Sequence, residues 1–165
     1  MPNTVENLKN AFAGESQANR KYLAFAKKAD EEGYPQVAKL FRAVAEAETI
    51  HAHNHFKALG EIKTTTENLQ AAIGGEAYEV NTMYPPMFAG AEGESNKQAA
   101  RSFRWALEVE KVHEILYRQA LEKLGKDTTT MDYYICPVCG YTHEGPMTES
   151  CPVCGTLPQR FIQMK

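Results

Sequence analysis

Glu48-Thr49-Ile50-His51 and, further along, Glu110-Lys111-Val112-His113 are the two stretches on which the fold turns. Residues three apart share one face of a helix, so each Glu-x-x-His can present a carboxylate and an imidazole to a single ion. Both stretches lie in apolar stripes of helical period. The first stripe runs Val37, Phe41, Val44, Glu48, His51, His55, and the second runs Phe103, Ala106, Glu110, His113, Tyr117. A charge on such an inner stripe costs several kcal/mol unless it is paired or bound to a metal. No lysine or arginine stands at the matching stripe positions, so a bound dication, or a pair of them, is the economical explanation.

Working outward, each stretch has a partner glutamate. Gly14-Glu15 precedes Glu48 by 33 residues, and Gly75-Glu76 precedes Glu110 by 34. Glu15 belongs to a stripe of Leu8, Phe12, Glu15, Asn19, Tyr22 and Ala26 on a helix expected from Thr4 to Glu32, stopped by Gly33. Pro35 opens a second helix that ends at Gly60. Glu15 and Glu48 both fall roughly 20–27 Å from the turn at Gly33, so they share a level. A third helix is expected from near Glu67. Gly74-Gly75 weaken it, and Pro85-Pro86 should break or kink it. Gly90 to Ser95 reads as a turn, after which Ser95 or Asn96 caps a fourth helix reaching Leu124. Glu76 and Glu110 are each 17 residues from Gly93 and so share a level as well.

This is an internal repeat of two helical hairpins, the mark of a pseudo-symmetric four-helix bundle. One glutamate from each of two helices plus Glu-x-x-His from the other two is the general ligand pattern of ferritin-like di-iron and di-manganese proteins, and the chain matches it. One Glu-x-x-His alone is a weak signal; two copies in register with two further core glutamates are a strong one. Glu79, three residues after Glu76, shares its face and is a seventh ligand candidate. His53 points away from His51, and His55 lies one turn beyond it. Glu46, Glu108 and Glu114 fall off the stripe and read as solvated.

The last thirty residues are a different text. Cys136-Pro137-Val138-Cys139-Gly140 and Cys151-Pro152-Val153-Cys154-Gly155 are matching knuckles separated by eleven residues. The glycine after each pair permits the tight turn that offers backbone N–H groups to thiolate sulfur. Four thiolates make a tetrahedral soft-ligand site for zinc or iron. A segment this short cannot bury enough core to fold alone, so the metal must hold it together. The ligands leave zinc and iron both open; the redox metals expected next door, and Tyr134, Tyr141 and Phe161 as shields, favour iron. The domain reading is therefore 1–125 bundle, 126–132 linker and 133–165 knuckle.

Composition bounds the rest. A net charge of −3 gives no surface for nucleic acid, and no apolar run approaches a membrane span. The first residues show neither a basic nor an apolar leader region, so the expected compartment is the cytoplasm, where clustered cysteines favour metal over disulfides.

Gly14-Glu15-Ser16-Gln17-Ala18, Glu48-x-x-His51, Gly75-Glu76-Ala77-Tyr78-Glu79, Met83-Tyr84-Pro85, Glu110-x-x-His113 and the paired knuckles together resemble the rubrerythrin family over nearly the whole chain. The order, ferritin-like then rubredoxin-like, is also that of the family. The resemblance implies a di-iron site on Glu15, Glu48, Glu76, Glu79, Glu110 and His113, with His51 and Glu79 exchanging as an iron ligand with oxidation state. It implies one iron on Cys136, Cys139, Cys151 and Cys154, and tyrosines Tyr22 and Tyr84 near the di-iron site. It also implies a peroxidase that reduces hydrogen peroxide to water with electrons from a reductase or a rubredoxin. Two other readings stand beside this one: a ferritin-like iron-oxidising or storage protein, and a metal-binding module with structural zinc.

The link after Gly60 carries one more expectation. In a ferritin-like bundle the second and third helices run parallel, so their connection travels the bundle's length. It would have to climb roughly 32 Å, whereas the seven steps from Gly60 to Glu67 span at most about 25 Å. A homodimer with swapped helix pairs follows, the first two helices of one chain completing a bundle with the last two of another.

Overall fold

In a computed structural model of the chain, residues 3–164 are described; Met1, Pro2 and Lys165, at the outer edges of the expected bundle and knuckle segments, lie outside them. The fold is mainly α-helical with a small antiparallel sheet near the C-terminus, as expected. Two compact units divide between Lys63 and Thr64.

The first unit is a helical hairpin. Helix α1, Thr4–Glu31, opens on a capping box in which Asn3 and Glu6 satisfy each other's backbone N–H groups. Gly33, at φ +81°, makes the turn that a side chain would strain. Helix α2, Pro35–Ala58, starts on proline, whose missing N–H costs nothing there. Small residues let the two helices approach: Ala26, Ala29, Ala38, Ala45 and Ala52 are all buried. Phe12 stacks on Phe56 at 4.9 Å between ring centres, one turn from Glu15.

The second unit holds the other hairpin and the knuckle. Helix α3, Thr65–Tyr78, opens on a second capping box, Thr64 with Glu67. A π-helical segment, Glu79–Met83, joins it to α4, Tyr84–Gly93. Of the break or kink expected at Pro85-Pro86, the break is corrected: the chain does not break there but stays helical through the π segment. The π segment widens the turn, the Tyr84 N–H bonding back to the Glu79 carbonyl. Both prolines then sit in the first turn of α4, where their missing donors disrupt least. The expected turn at Gly90 to Ser95 is also corrected, since α4 runs on to Gly93 and only Glu94–Asn96 turn. Asn96 caps α5, Lys97–Lys123, by accepting from the Ala99 N–H.

After the linker come β1 (Tyr133–Ile135), β2 (Thr142–Glu144) and β3 (Ile162–Met164), antiparallel in the order β2-β1-β3. The register sets Ile135 opposite both Thr142 and Ile162. This places Thr142 against α5, and Val109 of that helix is buried 3.9 Å from where a side chain on Gly140 would begin.

Candidate metal centres

Each hairpin assembles one trio of ligands. In the first unit Glu15 from α1 meets Glu48 and His51 from α2, their donor atoms all within 4.8 Å of one another. His51 Nδ1 lies 2.8 Å from Glu48 Oε2. Just below the trio, the buried Asn19 amide donates to the Ala45 carbonyl (2.7 Å) and to Thr49 Oγ1 (2.8 Å), locking α1 to α2 at that level. Tyr22 lies one turn further on, packed with Phe25 and Phe41.

In the second unit Glu76 from α3 meets Glu110 and His113 from α5, again within 4.8 Å. His113 Nδ1 is 2.7 Å from Glu110 Oε2. Its other ring nitrogen, Nε2, is 3.0 Å from Thr142 Oγ1 of the sheet. Glu79 begins the π segment. It stands outside the trio but close enough for the charge on Glu110, after burial, to raise its pKa. Burial and then the Glu110 carboxylate push the Glu76 carboxyl up to about 7. The hydrogen bond to Glu110 is the main cause that holds His113 above the usual imidazole range. Tyr84 is raised by burial and by the Glu79, Glu110 and Glu76 carboxylates, so its hydroxyl keeps its proton.

These shifts have one origin. Three carboxylates crowd one imidazole, and without a cation the excess negative charge is met by holding protons. A dication removes the same repulsion directly, so the donor set fits one. Across both trios the donors are carboxylate oxygens and imidazole nitrogens, a set that suits iron or manganese.

The knuckle builds its site by repetition. Gly140 N–H donates to the Cys136 carbonyl (3.0 Å) and Gly155 N–H to the Cys151 carbonyl (2.9 Å). Both glycines have positive φ, +85° and +76°. Cys136 N–H closes the first loop on the Tyr141 carbonyl, and Cys151 N–H the second on the Thr156 carbonyl, each at 2.8 Å. The four sulfurs lie within 4.8 Å of one another, with Cys136–Cys154 and Cys139–Cys151 separations of 3.5 Å. A tetrahedron of about 2.3 Å metal–sulfur bonds would put its sulfurs roughly 3.8 Å apart, so the cage has the size of a single ion. Burial opposes ionisation of Cys136, but the N–H groups of Cys139 and Val138 and the Thr156 hydroxyl outweigh it and bring the thiol down to about 6. Burial raises Cys139 and Cys151, so a metal must displace their protons.

Six of the seven carboxylate and histidine candidates thus fall into two trios, all four cysteines converge, and Glu79 flanks the second trio. His53 is exposed. Glu108 is exposed and pairs with Lys111, as expected off the stripe. Glu114, also expected to be solvated, is instead largely covered, its side chain 19% exposed and paired with Arg118. Thr142 escapes a reading of the sequence: a strand threonine carries no motif, and only the fold brings it to His113.

Residues 6–121 match the sequence model of the Rubrerythrin family, and residues 134–162 that of the rubrerythrin rubredoxin-like domain. Rubrerythrin-2 of Clostridium acetobutylicum is 38% identical over 96% of this chain and 95% of its own length. Nigerythrin of Nitratidesulfovibrio vulgaris is 39% identical over 92% of this chain and 81% of its own. Solved structures of nigerythrin, one in a mixed-valent state and one fully reduced and all-ferrous, each cover 99% of this chain and 88% of theirs. Both have a TM-score of 0.60, at 36% and 35% identity. The helical part and the knuckle are matched separately and in the same order, and both sets of candidate iron ligands are in place: the chain belongs to the rubrerythrin family.

Proposed function

We propose that this chain is a non-haem di-iron peroxidase that reduces hydrogen peroxide to water, with electrons arriving through an iron on the four cysteines. The overall reaction takes one peroxide, two protons and two electrons to two waters. The observation that carries the reading is the placement of the cysteine cage in the same compact unit as the Glu76, Glu110 and His113 trio, with Thr142 of its sheet hydrogen-bonded to the trio's histidine. A storage protein needs no thiolate site built against a ligand, and a zinc staple needs no contact with a second metal's histidine.

Bound ferrous iron would supply the electrons that cleave the peroxide O–O bond. The chain's own residues do the rest. Glu15, Glu48, Glu76 and Glu110 would hold and charge-balance the ions, and His113 would fix one of them from a half-buried, doubly bonded ring. Glu79 sits where a π segment loosens the helix, and the His51 side chain is 54% exposed. Those are the two positions with room to move, consistent with their exchanging as a ligand. Tyr84 keeps an O–H available as a donor beside the carboxylates.

The same reading includes a homodimer with swapped helix pairs. With the helix ends as observed, α2 runs about 15 Å from Glu48 to Ala58, and α3 about 17 Å from Thr65 to Glu76. Parallel helices would need a climb of about 32 Å, and the seven steps from Ala58 to Thr65 reach about 25 Å at most. Each hairpin also leaves large apolar side chains exposed, Phe25, Leu40 and Ile50 in the first and Met87 and Ile115 in the second. Among the described residues no helix is long and apolar enough to cross a membrane. Iron on four free thiolates is in keeping with a reducing compartment such as the cytoplasm, with a reductase or a rubredoxin as donor.

Anaerobic turnover with peroxide and a rubredoxin-type donor tests the function. The expected result is two electrons consumed per peroxide, lost when all four cysteines become serine. Sedimentation tests the dimer: a folded monomer holding both bundle irons would overturn it.

A further inference from the structure

We propose that Thr142 is a positioning residue: its hydroxyl fixes the proton and the orientation of the ligand His113 and ties that ligand to the cysteine cage. The inference rests on the peroxidase reading only in what the link is for; the link itself is geometric.

The two nitrogens of His113 face different partners. Nδ1 points into the carboxylates, 2.7 Å from Glu110 Oε2, and Nε2 points at Thr142 Oγ1, 3.0 Å away. The Thr142 hydroxyl in turn donates to the Gly140 carbonyl at 3.1 Å. A hydroxyl has one hydrogen to give, and here it goes to Gly140. Thr142 Oγ1 is thus placed to accept from His113 Nε2–H, beside the Gly140 carbonyl, which the same ring also meets. Without an ion Nδ1–H donates to Glu110; an ion at Nδ1 displaces that proton while Nε2 keeps its own. The threonine thereby holds the ring in the tautomer that an ion-filled trio requires, as partners of metal-bound histidines commonly do.

The chain of bonds ends at the cage. Gly140 follows the ligand Cys139 directly, and its N–H donates to the carbonyl of Cys136, a second ligand. From His113 to a cysteine the route crosses two hydrogen bonds and otherwise runs through covalent bonds. The contact is held in place on both sides: Thr142 is registered opposite Ile135, which leads into Cys136, and Gly140 packs over buried Val109, next to Glu110. The first trio has no such device. His51 bonds Glu48 through Nδ1, and among the described residues its other nitrogen has no protein partner.

Thr142→Val keeps the shape and removes the hydroxyl; Thr142→Ser keeps the hydroxyl. In zinc-loaded, diamagnetic protein, long-range proton–nitrogen spectra should show His113 protonated on Nε2. That proton should exchange with solvent about 10–100 times faster in Thr142→Val and near the parent rate in Thr142→Ser. In the iron-loaded full chain, reduced and mixed anaerobically with peroxide, the ferric tetrathiolate colour should return about 10–100 times more slowly in Thr142→Val, at unchanged iron content, and at the parent rate in Thr142→Ser. A Thr142→Val protein matching the parent in both exchange and colour return overturns the inference. A parent protein whose cysteine iron ignores peroxide overturns the peroxidase reading instead, and the zinc spectra still decide the role of Thr142.

Discussion

The two ligand trios are built from the same residue types at nearly the same spacing, yet their surroundings differ. His51 is 54% exposed and held by one bond to Glu48; His113 is 26% exposed and held at both nitrogens. The first trio rests on a regular hairpin locked by the buried Asn19. The second lies beside a π-helical segment that carries an extra carboxylate, Glu79, and is tied through Thr142 to the cysteine cage. A repeat supplies the ligands, and departures from the repeat decide which of them are fixed. The histidine tied to the cysteine cage is the one bonded at both nitrogens; His51 is exposed, and Glu79 stands at the π segment.

Removing the histidines one at a time should break the symmetry most visibly. His113→Ala is expected to weaken bundle iron binding by about 100-fold in both oxidation states, His51→Ala by about tenfold and only when reduced. Iron content after dialysis against a chelator reads both. Equal losses would mean that the two trios are equivalent after all. Glu79→Gln should show the converse dependence, about tenfold weaker when oxidised and unchanged when reduced.

A smaller effect concerns the lock under the first trio. Asn19→Ala removes two buried hydrogen bonds that the second hairpin lacks, since Val80 stands one turn after Glu76. A loss of about 1–2 kcal/mol corresponds to a fall in Tm of roughly 2–8 °C, read by calorimetry on metal-free protein.

The smallest signal is a proton. With its carboxyl raised to about 7, Glu76 keeps its proton below that pH in the metal-free protein and has lost it above. Loading the bundle after the cysteine cage is filled should therefore release more protons at about pH 6 than at about pH 8, with Glu76 supplying about one of them per chain. Indicator titration measures the difference, and Glu76→Gln should lower it by about one proton per chain.

What the sequence made legible was whatever repeats or clusters. The Glu-x-x-His pairs, their partner glutamates and the cysteine knuckles announce themselves by spacing, and both hairpins follow from stripes and turn glycines. The π segment does not, because Pro85-Pro86 is a reliable breaker by local rules. Only the wider turn set by Glu79–Met83 lets both prolines fall where no donor is needed. Gly90 and Gly93 mislead in the same way, being turn-formers that here finish a helix. The capping box of Thr64 and Glu67 is readable in principle but is masked by the other threonines of the link. Thr142 has no sequence signal at all, since its importance lies in a contact 29 residues distant along the chain.

The most direct test of the account is the reoxidation of fully reduced, iron-loaded protein, followed through the colour of its ferric tetrathiolate. Anaerobic peroxide should restore that colour faster than air does and in proportion to the peroxide added. Reoxidation by peroxide no faster than by air would contradict the account.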